Sequence, residues 1–263
     1  MDSLRRLELS YWEICPQLPP LGKLPNLDYL RISNADAVKK IGTQFLGQES
    51  DRGRDEGGRI QISFPKSTKL EFIDMYNWEE WEWEVKDDDG LIALPNLKEL
   101  TLSWCPKLRS LPSGLVHHAT TLTKLQISHC DGLKEIRGFS SIKELQISHC
   151  DSLKEIRGFS SIKELRISDS RKLEGVSDLP TLETLALCDE KMRSLPEWFH
   201  GGLPDFPALH KLEIMANGKV LRGCLKNGLD WPKIEHIPYV HARSMQESGY
   251  ISKSPSAFTT NLK

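Results

Sequence analysis

Apolar residues return along this chain in one spacing, an aliphatic residue followed by others three and five places on. Leu97, Leu100 and Leu102 lead on to Cys105, Leu108 and Leu111. Leu122, Leu125 and Ile127 lead on to Cys130, Leu133 and Ile136. Ile142, Leu145, Ile147, Cys150, Leu153 and Ile156 keep the same offsets, and so do Ile162, Leu165, Ile167, Ser170, Leu173 and Val176. The second and third apolar positions alternate with polar ones, which is the two-residue period of a strand with one buried face. Looser copies begin at Leu4, Leu27, Ser67, Leu182 and Leu209, so nine units are recognisable. A unit this short cannot bury its apolar face alone, whereas stacked units share one continuous core. The pattern predicts nine parallel strands in register, over 4–9, 27–32, 67–72, 97–102, 122–127, 142–147, 162–167, 182–187 and 209–214.

Unit starts lie 20 residues apart from 122 to 182, but 40 and 30 residues apart around the unit at 67. Gln48–Arg59 has no apolar residue to pack and is expected to be a surface loop. Prolines 19, 20, 95, 112 and 196 punctuate the arcs between strands, with short helical turns expected over Ser113–His118 and Glu197–His200. The repeat domain is expected over 1–243. The stretch 244–263, rich in Ser, Thr and Lys, reads as a disordered tail. Leu125–Glu144 and Leu145–Glu164 differ only at Gly132 versus Ser152. Like residues should therefore stand in register, Lys134 beside Lys154 and Glu144 beside Glu164, with a small and salt-screened repulsion.

Composition narrows the classes. With 35 Lys and Arg against 37 Asp and Glu there is no basic field to attract nucleic acid. No run of apolar residues approaches the length of a membrane span. None of the 7 Asn lies in a glycosylation sequon and none of the 6 Cys forms a CxxC pair. These features lead us to expect a reduced, cytoplasmic setting.

Candidate chemistry is sparse. His129-Cys130 and His149-Cys150 have the residue types of a zinc site. The strand register turns each Cys inward and each His outward, so we expect buried thiols beside exposed imidazoles and no metal. Trp78 and Trp81 occupy apolar slots and are expected in the core; Trp83 fits no slot and is expected on the surface. Asp87–Asp89 reads as a solvated loop. Neither HExxH nor GxSxG occurs, and Ser140–Lys143 matches SxxK without a partner motif. No catalytic residue, metal ligand or cofactor is expected. Binding is expected on the outward positions of the strands. Register places there Tyr29, Arg31, Thr101, Ser103, Trp104, Lys124, Gln126, His129, Glu144, Gln146, His149, Glu164, Arg166 and Asp169. Among them we single out Tyr29, Arg31, Trp104, Gln126, His129, Gln146, His149, Arg166 and Asp169 as candidate partner-binding residues, since exposed Trp, Tyr and Arg are the types enriched at interface hot spots.

Several segments carry a specific resemblance. Leu18-Pro-Pro-Leu-Gly-Lys-Leu-Pro-Asn-Leu-Asp-Tyr-Leu-Arg-Ile32, Met75-Tyr-Asn-Trp-Glu-Glu-Trp81, Leu97-Lys-Glu-Leu-Thr-Leu-Ser-Trp-Cys-Pro-Lys-Leu108 and Asp230-Trp-Pro-Lys-Ile-Glu-His-Ile-Pro238 resemble the repeats of plant intracellular nucleotide-binding leucine-rich-repeat disease-resistance proteins of the coiled-coil class. The resemblance implies an α/β leucine-rich-repeat solenoid, a horseshoe with a concave parallel sheet and an irregular convex side of loops and short helices. It implies the C-terminal repeat region of an immune receptor, which recognises a pathogen effector or a guarded host protein and restrains the nucleotide-binding domain. Nucleotide binding does not carry over, because GxxxxGK[ST] is absent. The rival reading is a substrate-adaptor repeat domain of a ubiquitin ligase, a class with longer Cys-rich units and a regular helix in each. A secreted receptor ectodomain would carry LxGxIP arcs, paired flanking cysteines and sequons, none of which occurs.

Overall fold

The computed structural model describes residues 3–47, 60–83, 91–200, 206–244, 246 and 248–262. The loop expected at 48–59 and the Asp87–Asp89 run lie outside the described residues. One sheet of 12 strands dominates, with sequence neighbours adjacent throughout. Its strands are β1 (Arg6–Ser10), β2 (Tyr29–Ser33), β3 (Lys69–Ile73), β4 (Glu99–Ser103), β5 (Lys124–Ser128), β6 (Glu144–Ser148), β7 (Glu164–Ser168), β8 (Thr184–Asp189), β9 (Lys211–Ala216), β10 (Tyr239–Arg243), β11 (Tyr250–Ser254) and β12 (Ala257–Thr260). From β1 to β10 every pairing is parallel. All nine expected strands appear, in the expected register.

Leu30, Leu70, Leu100, Leu125, Leu145, Leu165, Leu185 and Leu212 form one unbroken rank. Each is at most 1% exposed, so the rank is a core shared between units and not the core of any one of them. The Cys slot closes each turn. Cys105, Cys130 and Cys150 are buried, and each thiol donates to the backbone carbonyl two residues earlier, on Ser103, Ser128 and Ser148. Ser170 does the same with its hydroxyl, toward Ser168 at 3.0 Å. The slot therefore asks for a small side chain with a donor. Hydroxyls also tie one unit to the next: Thr121 donates to the Leu97 carbonyl, Ser141 to Leu122 and Thr181 to Ile162. Ser67, odd in a leucine slot, is buried and satisfied in the same way by the Leu27 carbonyl at 2.7 Å.

The convex side holds short parallel ladders, among them Glu135–Arg137, Glu155–Arg157 and Gly175–Ser177, the 3-10 turns Leu21–Lys23 and Thr43–Leu46, and α1 (Ser113–His118), a helical turn where one is expected. Glu197–His200 holds a turn and no helix. Near the end of the repeats lie α2 (Gly218–Gly223) and α3 (Trp231–Ile234). Asn217 caps α2 by accepting from the Lys219 and Val220 amides, while its side-chain amide donates to the Glu190 and Met192 carbonyls.

Three expectations are corrected. A tenth parallel strand, β10, follows the nine, with Val240 and Ala242 in the apolar ranks. The tail read as disordered forms β11 and β12, an antiparallel hairpin added to β10. It is anchored by Ile251, 2% exposed, and by Phe258 edge-on to Trp231 at 5.5 Å. Its polar composition reflects an exposed outer face. Trp83 is buried and not on the surface: it stacks on His118 at 5.4 Å beneath α1, where a Cβ on Gly114 would meet the indole at 2.6 Å.

Candidate functional site

The outward side chains of the sheet stand in rows, because strands in register place like positions side by side. The row ending each strand is mostly Ser, and Ser10–Ser33 and Ser103–Ser128 join through their hydroxyls at 2.8 Å. The residue after each of β1 to β7 bends away in the left-handed region, with positive φ at Tyr11, Asn34, Asp74, Trp104, His129, His149 and Asp169. The bend aims each amide at the next strand: Trp104 donates to the Ser128 carbonyl, His129 to Ser148 and His149 to Ser168. Asn and Asp tolerate this conformation; for a bulky residue it costs ~1–2 kcal/mol. Trp104 at φ 56° is thus a strained choice at a position that folding alone would give to Asn, Asp or Gly.

The strain presents a stack. The Trp104 and His129 rings lie 3.8 Å apart and 9° from parallel, and His129 and His149 follow at 4.5 Å and 25°. Asp169 ends the column, its carboxylate 3.9 Å from His149 Nε2, and Arg171 ties Asp169 to Asp189. Trp104 remains 43% exposed and the His149 side chain 49%, so an aromatic ledge faces solvent along the rim of the sheet. The inner ring differs. His129 Nδ1 is buried without a hydrogen-bond partner, and burial, reinforced by the charge of His149 and opposed by Asp131, pulls its pKa below the usual value. Protonating the middle of this stack is therefore disfavoured.

Within the sheet, Gln126 donates to Gln146 at 2.7 Å, and Thr101 approaches Gln126 at 3.4 Å. Arg166 follows in the same row, bound to Glu164 and reaching Glu213 at 3.4 Å. Tyr29 and Arg31 stand apart from these, two strands before Trp104. They converge with Lys69 on Glu71, which takes the Tyr29 hydroxyl at 2.7 Å, Lys69 at 3.1 Å and Arg31 at 3.9 Å. Glu71 is 13% exposed and is the hub of that cluster. Burial, then the bond to Glu71, raises the Tyr29 pKa; the bond to Glu71 raises that of Lys69 against an opposing burial effect. Seven of the nine singled-out residues, from Trp104 to Asp169, lie on one continuous surface, and Tyr29 and Arg31 form a separate one. Glu71 and Glu213 were missed because a Glu on a strand reads as ordinary solvated polarity; their matching row positions were the available signal.

The thiols of Cys130 and Cys150 point into the core and their histidines outward, as the register implies. Burial pushes Cys150 up to about 12, and Cys130 is likewise raised, by its contact with Cys105 and by burial. Among the described residues no group of three or more His, Cys, Asp or Glu is placed to hold a metal ion. Nor is any described helix long and apolar enough to cross a membrane.

Ten parallel strands in register, one shared leucine core and a side-chain-rich open face define a leucine-rich-repeat solenoid, a class that mediates protein–protein interaction. Residues 66–188 match the family of plant disease resistance protein RPS2-like leucine-rich repeats. An Arabidopsis thaliana protein named as a disease resistance protein is 34% identical over 124 residues, 46% of this chain and 8% of that protein. A second from the same plant, disease resistance RPP13-like protein 1, is 32% identical over 125 residues, 47% of this chain and 11% of that protein. Residues 66–188 are thus similar to the leucine-rich repeats of plant disease-resistance proteins, and the matched segment spans about a tenth of those relatives' length.

Proposed function

We propose that the chain is a non-catalytic recognition scaffold of an intracellular plant immune receptor. Its open sheet binds a pathogen effector or a guarded host protein, and in the full receptor it also helps hold the nucleotide-binding domain at rest. One observation carries the reading: an exposed Trp104–His129–His149 stack held on left-handed backbone. Folding gains little from placing Trp at such a position. A rigid aromatic that stays open to solvent is what an interface uses as an anchor.

The test is made in the full-length receptor. Trp104→Ala is expected to weaken partner association by about 2 kcal/mol, roughly thirtyfold, and Arg166→Ala by a similar amount, with receptor abundance unchanged. Lys134→Ala, on the convex side, is expected to be silent. Loss of association with Lys134→Ala, together with full association in the other two, would refute the concave assignment.

A further inference from the structure

Beyond Gln146 the face changes character. The middle row continues Arg166, Ala186, Glu213, His241 and Ser252. The Ser row gives way to Cys188, Met215, Arg243 and Tyr250. Ala186 is short between Arg166 and Glu213, and Cys188 is short beside Met215, so the floor sinks. Arg166 reaches over Ala186 to Glu213, which leaves Ala186 only 9% exposed. The result is a depression of about 510 Å³ bounded on its far side by the hairpin through Tyr250 and Ser252.

Its chemistry is two-sided. The floor is soft and apolar, a methyl group, a thiol and the thioether of Met215, which adapts to irregular shapes. The walls carry Arg166, His241 and Arg243 against one carboxylate, Glu213, and that carboxylate already binds Lys211 at 2.6 Å and Arg166. The Arg243 side chain is exposed, and among the described residues no hydrogen bond or ion pair engages it. The depression opens onto the same face as the stacked rings and has a surplus of positive charge at the hairpin end.

We propose that this depression is a docking site for an extended acidic protein segment. The segment would lower one apolar side chain onto Cys188 and Met215, beside the Arg166–Glu213 bridge that covers Ala186, and set a nearby carboxylate against Arg243, with the Tyr250 ring alongside. The proposal rests on the reading of the open sheet as a protein-recognition face. It makes the hairpin part of that face, since without β11 the depression has no outer wall.

A phage-displayed library of random twelve-residue peptides is panned against the purified 263-residue chain. The enriched peptides are expected to share an apolar residue with Asp or Glu within two positions. They are expected to lose roughly tenfold or more in affinity on Arg243→Glu and on Ala186→Arg, and little on Trp104→Ala. Circular dichroism checks that each variant is folded; Arg243→Glu, a surface change, serves if Ala186→Arg is not. Enrichment of basic peptides, or of none, overturns the proposal. Peptides indifferent to both depression variants but weakened by Trp104→Ala refute the depression and leave the recognition face standing. Peptides weakened only by Lys134→Ala refute both.

Discussion

The three units from Leu122 to Thr181 and the arc from Leu27 to Asn96 build the same sheet from very different lengths of chain. In the first, each step takes 20 residues; in the second, the steps take 40 and 30. Yet Leu30, Leu70 and Leu100 pair without a bulge, as Leu125, Leu145 and Leu165 do. Among the described residues the arc adds, on its convex side, the 3-10 turn Thr43–Leu46 and the small ladders Lys40–Ile41 with Glu80–Trp81 and Gln61–Ser63 with Leu91–Ala93. A longer arc encloses more volume, and aromatic rings fill it: Phe45 on Phe64 at 5.1 Å, Phe72 on Trp78 at 4.8 Å, Trp78 on Trp81 at 5.2 Å. The short units fill theirs with Leu, Ile, Cys, Ser170, Val176 and the Phe139–Phe159 pair. Strand spacing is thus insulated from unit length. The open faces differ too. The arc's face is saturated by ion pairs around Glu71, while the short units offer amides and exposed rings.

The largest test of this contrast is Trp78→Ala. Trp78 is fully buried against two other rings, Phe72 and Trp81, so the expected loss is ~3–5 kcal/mol. Because each unit leans only on its neighbours, hydrogen exchange should rise first in β2 to β4 and leave β6 and β7 protected. Equal deprotection throughout would show that the two regions melt as one.

Gly132→Ser comes next. The single difference between the near-identical units has a steric cause: a Cβ at Gly132 would stand 2.4 Å from the Leu108 carbonyl oxygen of the preceding, differently shaped unit. We expect ~1–3 kcal/mol of destabilisation in urea titration, and less than 1 kcal/mol from Ser152→Gly. Equal costs would remove this explanation.

Third, Glu71→Ala should cost about 1–3 kcal/mol, since it removes the acceptor of the Tyr29 hydroxyl and the carboxylate that Arg31 and Lys69 share, whereas Gln146→Ala should cost about 1 kcal/mol or less. The same pair sharpens the functional contrast, because only the second lies on the proposed recognition surface. The smallest effect is on pH. His129, by burial and the charge of His149, and His236, by burial and the charge of Lys253, have folded pKa values below their ordinary 6.5. The unfolded chain then holds more protons than the folded one as pH falls below about 6.5, so stability is complete above that value and declines beneath it. Urea midpoints at about pH 7.5 and about pH 5.5 should lie closer together in His129→Gln than in the parent chain. Identical spacing would place the acid sensitivity elsewhere.

The repeat spacing made the nine strands and their register legible, since a one-residue slip would turn every leucine outward. The tenth strand was legible in principle. Ile237, Val240 and Ala242 keep the offsets of three and five, but smaller residues and Pro238 mask them. The hairpin was not, because only Ile251 of its first strand is buried and period cannot be read from one apolar residue. Trp83 escaped because its partner, α1, lies thirty residues on. At the candidate site, register put His129, His149 and Asp169 in one column with Trp104. That the rings stack at van der Waals distance follows from the left-handed bend, which no apolar pattern reports. The depression around Ala186 and Cys188 arises from side chains that are short, and absence of bulk leaves no mark in a hydrophobic period.

The misfit at Gly132 makes two apparently equivalent excisions unequal. Removing Leu145–Glu164 joins Glu144 to Leu165 and keeps Gly132 against Leu108, so the sheet closes up with Gln126 beside Arg166 and His129 beside Asp169. The face shortens by one rung, about 4.8 Å, and loses one ring from its ledge. Removing Leu125–Glu144 yields a sequence identical but for one residue, with Ser152 now forced against the Leu108 carbonyl. The span of this surface is adjustable in whole rungs, and a single glycine decides which rung comes out cleanly.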